Sequence, residues 1–340
     1  VPRLTPERGG GGPPRLAWVD VARGVGIVLV VYGHALRAQV TSGQADPAWH
    51  AAVQDRTIYA FHMQLFFFLA GLFVERAVAR GAGRFLHDKG WTIVYPYVLW
   101  STISIALAAA AGSATNTAME FGRIATIWRE PVYQYWFLYV LLICNLVALV
   151  TRADRRIALL LIVVAIAGVG QFVPYMPGVA IGFFPFFFAG LALRPQLLDE
   201  TLPAGTAGAA LVGGGLGFAG MMLGADILAW LPERIFQLLA ASFGVCAVVG
   251  GAILVGHRAR LLAWLGTASM TIFVLHTLFS AGLRMALVRL GMTNPLALLV
   301  ACTLIGFIGP VVVWLLARRY RLVRLAGLGS DDPPQRRAVA

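Results

Sequence analysis

The chain has 340 residues, of which 59% are hydrophobic and only 12% charged, with a formal net charge of +12. Soluble domains carry roughly 25% charged residues, so this chain cannot cover a water-facing surface of its own size, and lipid must replace water over most of it. The positive charge does not mark a nucleic-acid binder, because the arginines sit at the ends of apolar runs and do not cluster with aromatics on one face.

In chain order, residues 1–14 are rich in Gly, Pro and Arg and are expected to form a disordered tail. Ten apolar runs follow, each near the ~20 residues that a bilayer core requires: 18–40, 57–78, 92–111, 135–151, 157–173, 179–193, 205–224, 235–256, 262–283 and 295–317. The first is too long for the apolar core of a cleavable leader, and it contains Asp20, Arg23 and His34, which a disposable segment does not need. Residues 321–340 are basic and are expected to be a second disordered tail, leaving one integral-membrane domain at 15–320. The expected fold class is all-α, a polytopic membrane protein of about ten transmembrane helices with both termini cytoplasmic. With that orientation about 20 of the Arg and Lys residues fall inside and about 7 outside, Arg37, Arg56, Arg234, Arg284 and Arg289 among the outer ones. The expected location is the inner (plasma) membrane.

An ionisable group inside a span costs about 2.5–3.5 kcal/mol or more, so each one asks for a reason. Apart from Arg37, Glu75 and Arg76 at run ends, few of the runs contain any: Asp20, Arg23 and His34 in the first, His62 in the second, His276 in the ninth. Arg23 and His34 are eleven residues apart, which returns to nearly the same helix face about 16 Å further along the axis. Counted along their spans, His34, His62 and His276 reach the middle or outer half of the membrane, as a shared polar site requires. Cys144, Cys246 and Cys302 lie in separate runs without metal-ligand spacing, and they read as small buried hydrophobes. No metal is expected.

Several stretches are similar to an ordered set of motifs. The run Trp18-Val-Asp-Val-Ala-Arg-Gly through Gly33-His34 resembles the opening motif of the acyltransferase-3 family, an Asp, then Arg-Gly or Lys-Gly, then an apolar run ending in Gly-His. The stretches Phe61-His62 to Ala70-Gly71, Tyr95-Pro96-Tyr97, Tyr135-Trp136-Phe137-Leu138, Phe184-Pro185 to Ala189-Gly190, and Leu265-Gly266 to Leu275-His276 resemble its later motifs, in the same order. There are departures: the family's Arg-x-x-Arg before the third span reads Lys89 and Thr92 here, and its Ser-Gly reads Ala70-Gly71.

The resemblance implies transfer of an acyl group, usually acetyl, from a cytoplasmic acyl-coenzyme A to a sugar hydroxyl of a cell-surface or secreted glycan or a lipid-linked sugar. A neutral imidazole, with an ordinary pKa of about 6.5, suits the general base that a hydroxyl nucleophile needs. His34 is the candidate base, or else the carrier of an acyl-imidazole. His62 and His276 are candidates to polarise the thioester carbonyl or to orient the acceptor. Arg23 and Lys89 are candidates for the phosphates of the acyl-coenzyme A donor. Tyr133, Tyr135, Trp136 and Phe137 read as an interfacial belt or as a stacking surface for a sugar. The alternative function is a transporter or flippase of a lipid-linked sugar with the histidines as proton relay.

Overall fold

The computed structural model describes residues 16–44, 54–112, 119–199 and 202–329. Among them every regular element is helical. The helices are α1 (Ala17–Thr41), α2 (Arg56–Tyr59), α3 (His62–Ala79), α4 (Ala82–Lys89), α5 (Tyr95–Ala111), α6 (Trp136–Val150), α7 (Arg155–Ile166), α8 (Tyr175–Arg194), α9 (Ala204–Leu223), α10 (Glu233–Val255), α11 (Arg260–Thr267), α12 (Ser269–Arg289) and α13 (Pro295–Arg319). The helix starts have local causes. Asp154 caps α7 by accepting from the Arg156 and Ile157 amides, and Asn294 caps α13 by accepting from Ala297, just ahead of Pro295.

Nine helices among the described residues are long and apolar enough to cross a membrane on their own. The remaining expected run, 157–173, holds the 12-residue α7 and a 3-10 turn, Val169–Phe172. An ionic cluster shows where this short piece leads. Glu75 near the end of α3 pairs with Arg155 at the start of α7 and with Arg194 at the end of α8, and Arg194 also pairs with Asp199. At the other end of α8, Tyr175 lies under the guanidinium of Arg129, which precedes α6. The chain therefore leaves the ionic end along α7 and returns to it along α8, so α7 with its turn makes a further crossing. Together these features define an all-α polytopic membrane protein.

Without a hydrophobic drive between helices in lipid, close packing through small residues holds such a bundle together. Two reciprocal glycine contacts do so here. A side chain at Gly24 would strike the Leu262 carbonyl, and one at Gly266 the Asp20 carbonyl, so α1 and α11 lie backbone to backbone. Gly71 and Gly190 meet the carbonyls of Phe187 and Phe68 in the same way between α3 and α8. α1 is the hub: it packs on α3, α10, α11, α12 and α13.

Three expectations need correction. The run 262–283 is broken at Ala268, where α11 ends and α12 starts, so His276 stands seven residues into its helix and not fourteen. The break falls two residues after Gly266, where α11 meets the Asp20 backbone of α1. Arg284, expected in an outer loop, is buried within α12. The C-terminal tail is ordered through 329: Val323 and Leu328 are buried, and Tyr95, Trp100 and Thr271 donate hydrogen bonds to the carbonyls of Leu325, Ala326 and Leu328. The remainder of that expected tail, and the expected tail at 1–14, lie outside the described residues. Of the cysteines, Cys144 and Cys302 are buried as expected, while Cys246 is exposed on α10.

Candidate active site

α1 carries Asp20, Arg23 and His34 from one end of the bundle toward the other. Asp20 is buried and Arg23 Nη1 lies 3.7 Å from its Oδ1, the contact that a three-residue helical spacing allows. Arg23 also lies 5.7 Å from the centre of the Phe73 ring on α3. Eleven residues on, His34 is half-buried. Its neighbour Gly33 is needed for space: an added side chain would come within 3.1 Å of the Tyr59 ring and 3.2 Å of Ile58.

The helix expected over 57–78 is interrupted. α2 stops at Tyr59, Phe61 takes a non-helical φ of −143°, and α3 begins at His62. A helix end leaves carbonyls without intrahelical donors, and the His62 ring fills one of them: its Nδ1 is 2.7 Å from the Ile58 carbonyl oxygen. A carbonyl only accepts, so Nδ1 carries the hydrogen and the neutral ring offers Nε2 as an acceptor. His276, fully buried on α12, repeats this arrangement. Its Nδ1 is 2.9 Å from the Ile272 carbonyl and 2.8 Å from that of Phe273, and its Nε2 has no partner among the described residues.

The three rings come together. His34 and His276 have ring centres 5.1 Å apart, and Tyr59 bridges the third, lying 6.2 Å from His34 and 4.8 Å from His62, edge-on to both. Around this group, α12 is held on either side of His276. The Tyr135 hydroxyl donates to the Val274 carbonyl at 3.0 Å, and the Gln134 amide donates to Thr277 at 2.9 Å. Tyr135 and Phe137 are thus buried supports of the site, not an interfacial belt or a sugar platform. Toward the end of α1, Arg37 donates from Nε and Nη2 to both carboxylate oxygens of Asp55, at 2.5 and 2.9 Å. Its guanidinium sits 3.0 Å above the centre of the Tyr59 ring.

The geometry corrects one expected role. Polarising a thioester carbonyl takes an N–H aimed at it, but the neutral rings of His62 and His276 both use their N–H on backbone carbonyls. What they present is a lone pair, suited to accepting from a hydroxyl or from the His34 ring. Lys89 is also placed differently from the expectation of a loop. It ends α4 in a stretch that stays helical from Ala82 to Ala111, with its ammonium 5.4 Å from the Phe85 ring. Neither Arg23 nor Lys89 joins the histidine group; Arg23 is about 16 Å along α1 from His34 at 1.5 Å per residue. Arg324, from the ordered C-terminal segment, lies 4.5 Å above Trp91, two residues beyond Lys89. The sequence reading missed Arg37, Asp55, Tyr59 and Arg324; for Tyr59, its place three residues before His62 was the available signal.

Fold and site together define an integral-membrane protein whose buried imidazoles are equipped to take a proton from a hydroxyl. The chain belongs to the acyltransferase-3 family: the family's acyltransferase domain matches residues 16–315. It is also 26% identical over 152 residues to the nodulation protein NolL of Mesorhizobium japonicum, across 42% of this chain and 38% of that protein. The match therefore spans well under half of that relative's length. No solved structure matches the chain.

Proposed function

We propose that the chain transfers an acyl group, acetyl in the simplest case, from a cytoplasmic acyl-coenzyme A to a hydroxyl of a cell-surface or secreted glycan or a lipid-linked sugar, at the inner (plasma) membrane. The observation that carries this reading is the histidine group itself: three imidazoles brought together inside the bundle, the Nε2 of His276 without a partner among the described residues, on helices that the family's motifs occupy. His34, half-buried and flanked by the other two, is the residue open to a substrate. It takes the proton of the attacking hydroxyl, or carries the acyl group as an acyl-imidazole. The His276 lone pair beside it orients the His34 ring or the acceptor, and His62, beyond Tyr59, is a second acceptor for a substrate hydroxyl. Arg23, Lys89 and Arg324 supply cations for the donor phosphates near the end of the bundle where α1 begins. The transport reading is not favoured by the family membership, and nothing in the bundle calls for it.

The test is release of free coenzyme A by the purified, membrane-reconstituted chain, given acetyl-coenzyme A with and without a panel of glycans. Acceptor-dependent release supports the reading. Acceptor binding without any thioester cleavage, by any acyl-coenzyme A tried, sinks it.

A further inference from the structure

Acyl transfer to an oxygen passes through a tetrahedral carbon bearing a negative oxygen, and the largest catalytic contribution commonly comes from a fixed hydrogen-bond donor aimed at that oxygen. His62 and His276 do not provide one, since both N–H groups are held by backbone carbonyls. A different side chain in the same group does. The hydroxyl of Tyr59 is buried, and its O–H donates to no group among the described residues; the Arg37 guanidinium beside it has no acceptor and can only donate to the phenol oxygen. Its ring is held on three sides: edge-on to His62 and to His34, against the bare backbone of Gly33, and under the Arg37 guanidinium. Arg37 is itself fixed by its two-point contact with Asp55. A phenol so placed cannot turn away, and a cation over its ring face draws electron density from it, which strengthens its O–H as a donor.

From this we infer that Tyr59 is a catalytic residue, the donor to the oxyanion of the acyl-transfer intermediate. The inference rests on the acyl-transfer reading above. The attacking hydroxyl oxygen forms a bond to the thioester carbonyl carbon while its proton moves to a histidine nitrogen. The carbonyl π pair moves onto the carbonyl oxygen, which accepts a hydrogen bond from the Tyr59 O–H. The carbon–sulfur bond then breaks, the carbonyl reforms, and the departing thiolate takes the proton back from the imidazolium. Tyr59 keeps its own proton throughout. If the acyl group first rests on His34, the same oxyanion arises and Tyr59 serves it equally.

The test uses the full chain in lipid. Tyr59→Phe keeps the ring and its packing, and its kcat with acetyl-coenzyme A is expected to fall about 10²–10³-fold with KM nearly unchanged, the loss expected for one oxyanion donor. A series of fluorinated tyrosines at position 59 adds a readout that packing does not move, because turnover should rise with the acidity of the phenol. A kcat for Tyr59→Phe within about threefold of wild type, or rates that stay flat across the fluorotyrosine series, overturns the inference alone. Absence of thioester cleavage by the wild type overturns the acyl-transfer reading and this inference with it, so the two failures are distinguishable.

Discussion

The most apolar stretches of α1 and α9 have the same mean hydropathy, yet the two helices lead opposite lives. In α1, 67% of the most apolar window is buried against other helices, whereas in α9 only 17% is. α1 holds Asp20, Arg23, His34 and Arg37, and α9 holds no ionisable residue. The exposed face of α9 is Val212, Leu216 and Leu223. In lipid an outward apolar face costs nothing, so average hydropathy finds the spans without separating hub from periphery. The distinction lies in which residues the helix cannot show to lipid.

If that comparison is right, changes in α1 and in the residues packed on it should be severe in proportion to what they touch. The largest effect is expected at His34. His34→Gln keeps a hydrogen-bonding group but no usable base, and turnover should fall by at least about 100-fold with insertion and abundance intact. Near-normal turnover would make His34 a packing residue and move the base to His62 or His276. Gly266→Ala comes next. Its methyl meets the Asp20 carbonyl, and an overpacked contact of this kind costs about 1–3 kcal/mol, so the unfolding midpoint in detergent should drop by roughly 5 °C. An unchanged midpoint would mean that α1 and α11 are less tightly joined than the backbone contact implies. Arg23→Ala is smaller again. The side chain is 36% exposed, so solvent screens much of its contribution, and KM for the acyl-coenzyme A donor should rise by about fivefold with kcat little changed. A KM unmoved in a folded variant would leave Arg23 as no more than the partner of Asp20.

Much of this was legible before any coordinates. Long apolar runs have one stable form in lipid, so nine of them appear as membrane-length helices, most of them close to their expected limits. The histidines stood out because each ionisable group in such a run is costly. What stayed hidden depends on backbone interruptions that composition does not record. No Gly or Pro marks the break at Phe61, yet that break exposes the carbonyl that fixes the His62 tautomer and brings Tyr59 beside it. The break at Ala268 lies inside a long run with no Pro to mark it, beside the contact of Gly266 with α1. A tyrosine carries too small a penalty in a membrane to attract notice, so Tyr59 became visible only through its buried O–H, which donates to no group among the described residues. The segment before Gly329 reads as a solvated basic tail because four arginines lie between 318 and 329, but two apolar residues, Val323 and Leu328, decide its position.

The smallest expected effect gives the sharpest control. Gly213 sits in the glycine-rich stretch of α9, and an added methyl there meets nothing within 4 Å. Gly214, next to it, meets the backbone of Ala247 and Phe243 on α10, and Gly217 meets the Phe243 ring. The glycines of α9 therefore divide into a packed face and an open one, and Gly213 belongs to the open one. Glycine within a helix is about 0.5–1 kcal/mol less favourable than alanine, so Gly213→Ala should leave turnover unchanged and hold the unfolding midpoint or raise it by a few degrees at most. The same methyl placed at Gly266 should lower it, although both substitutions are chemically identical. If Gly213→Ala destabilises the chain as much as Gly266→Ala, the open face of α9 is covered in the membrane by another polypeptide, and α9 is an interface, not a lipid-facing edge.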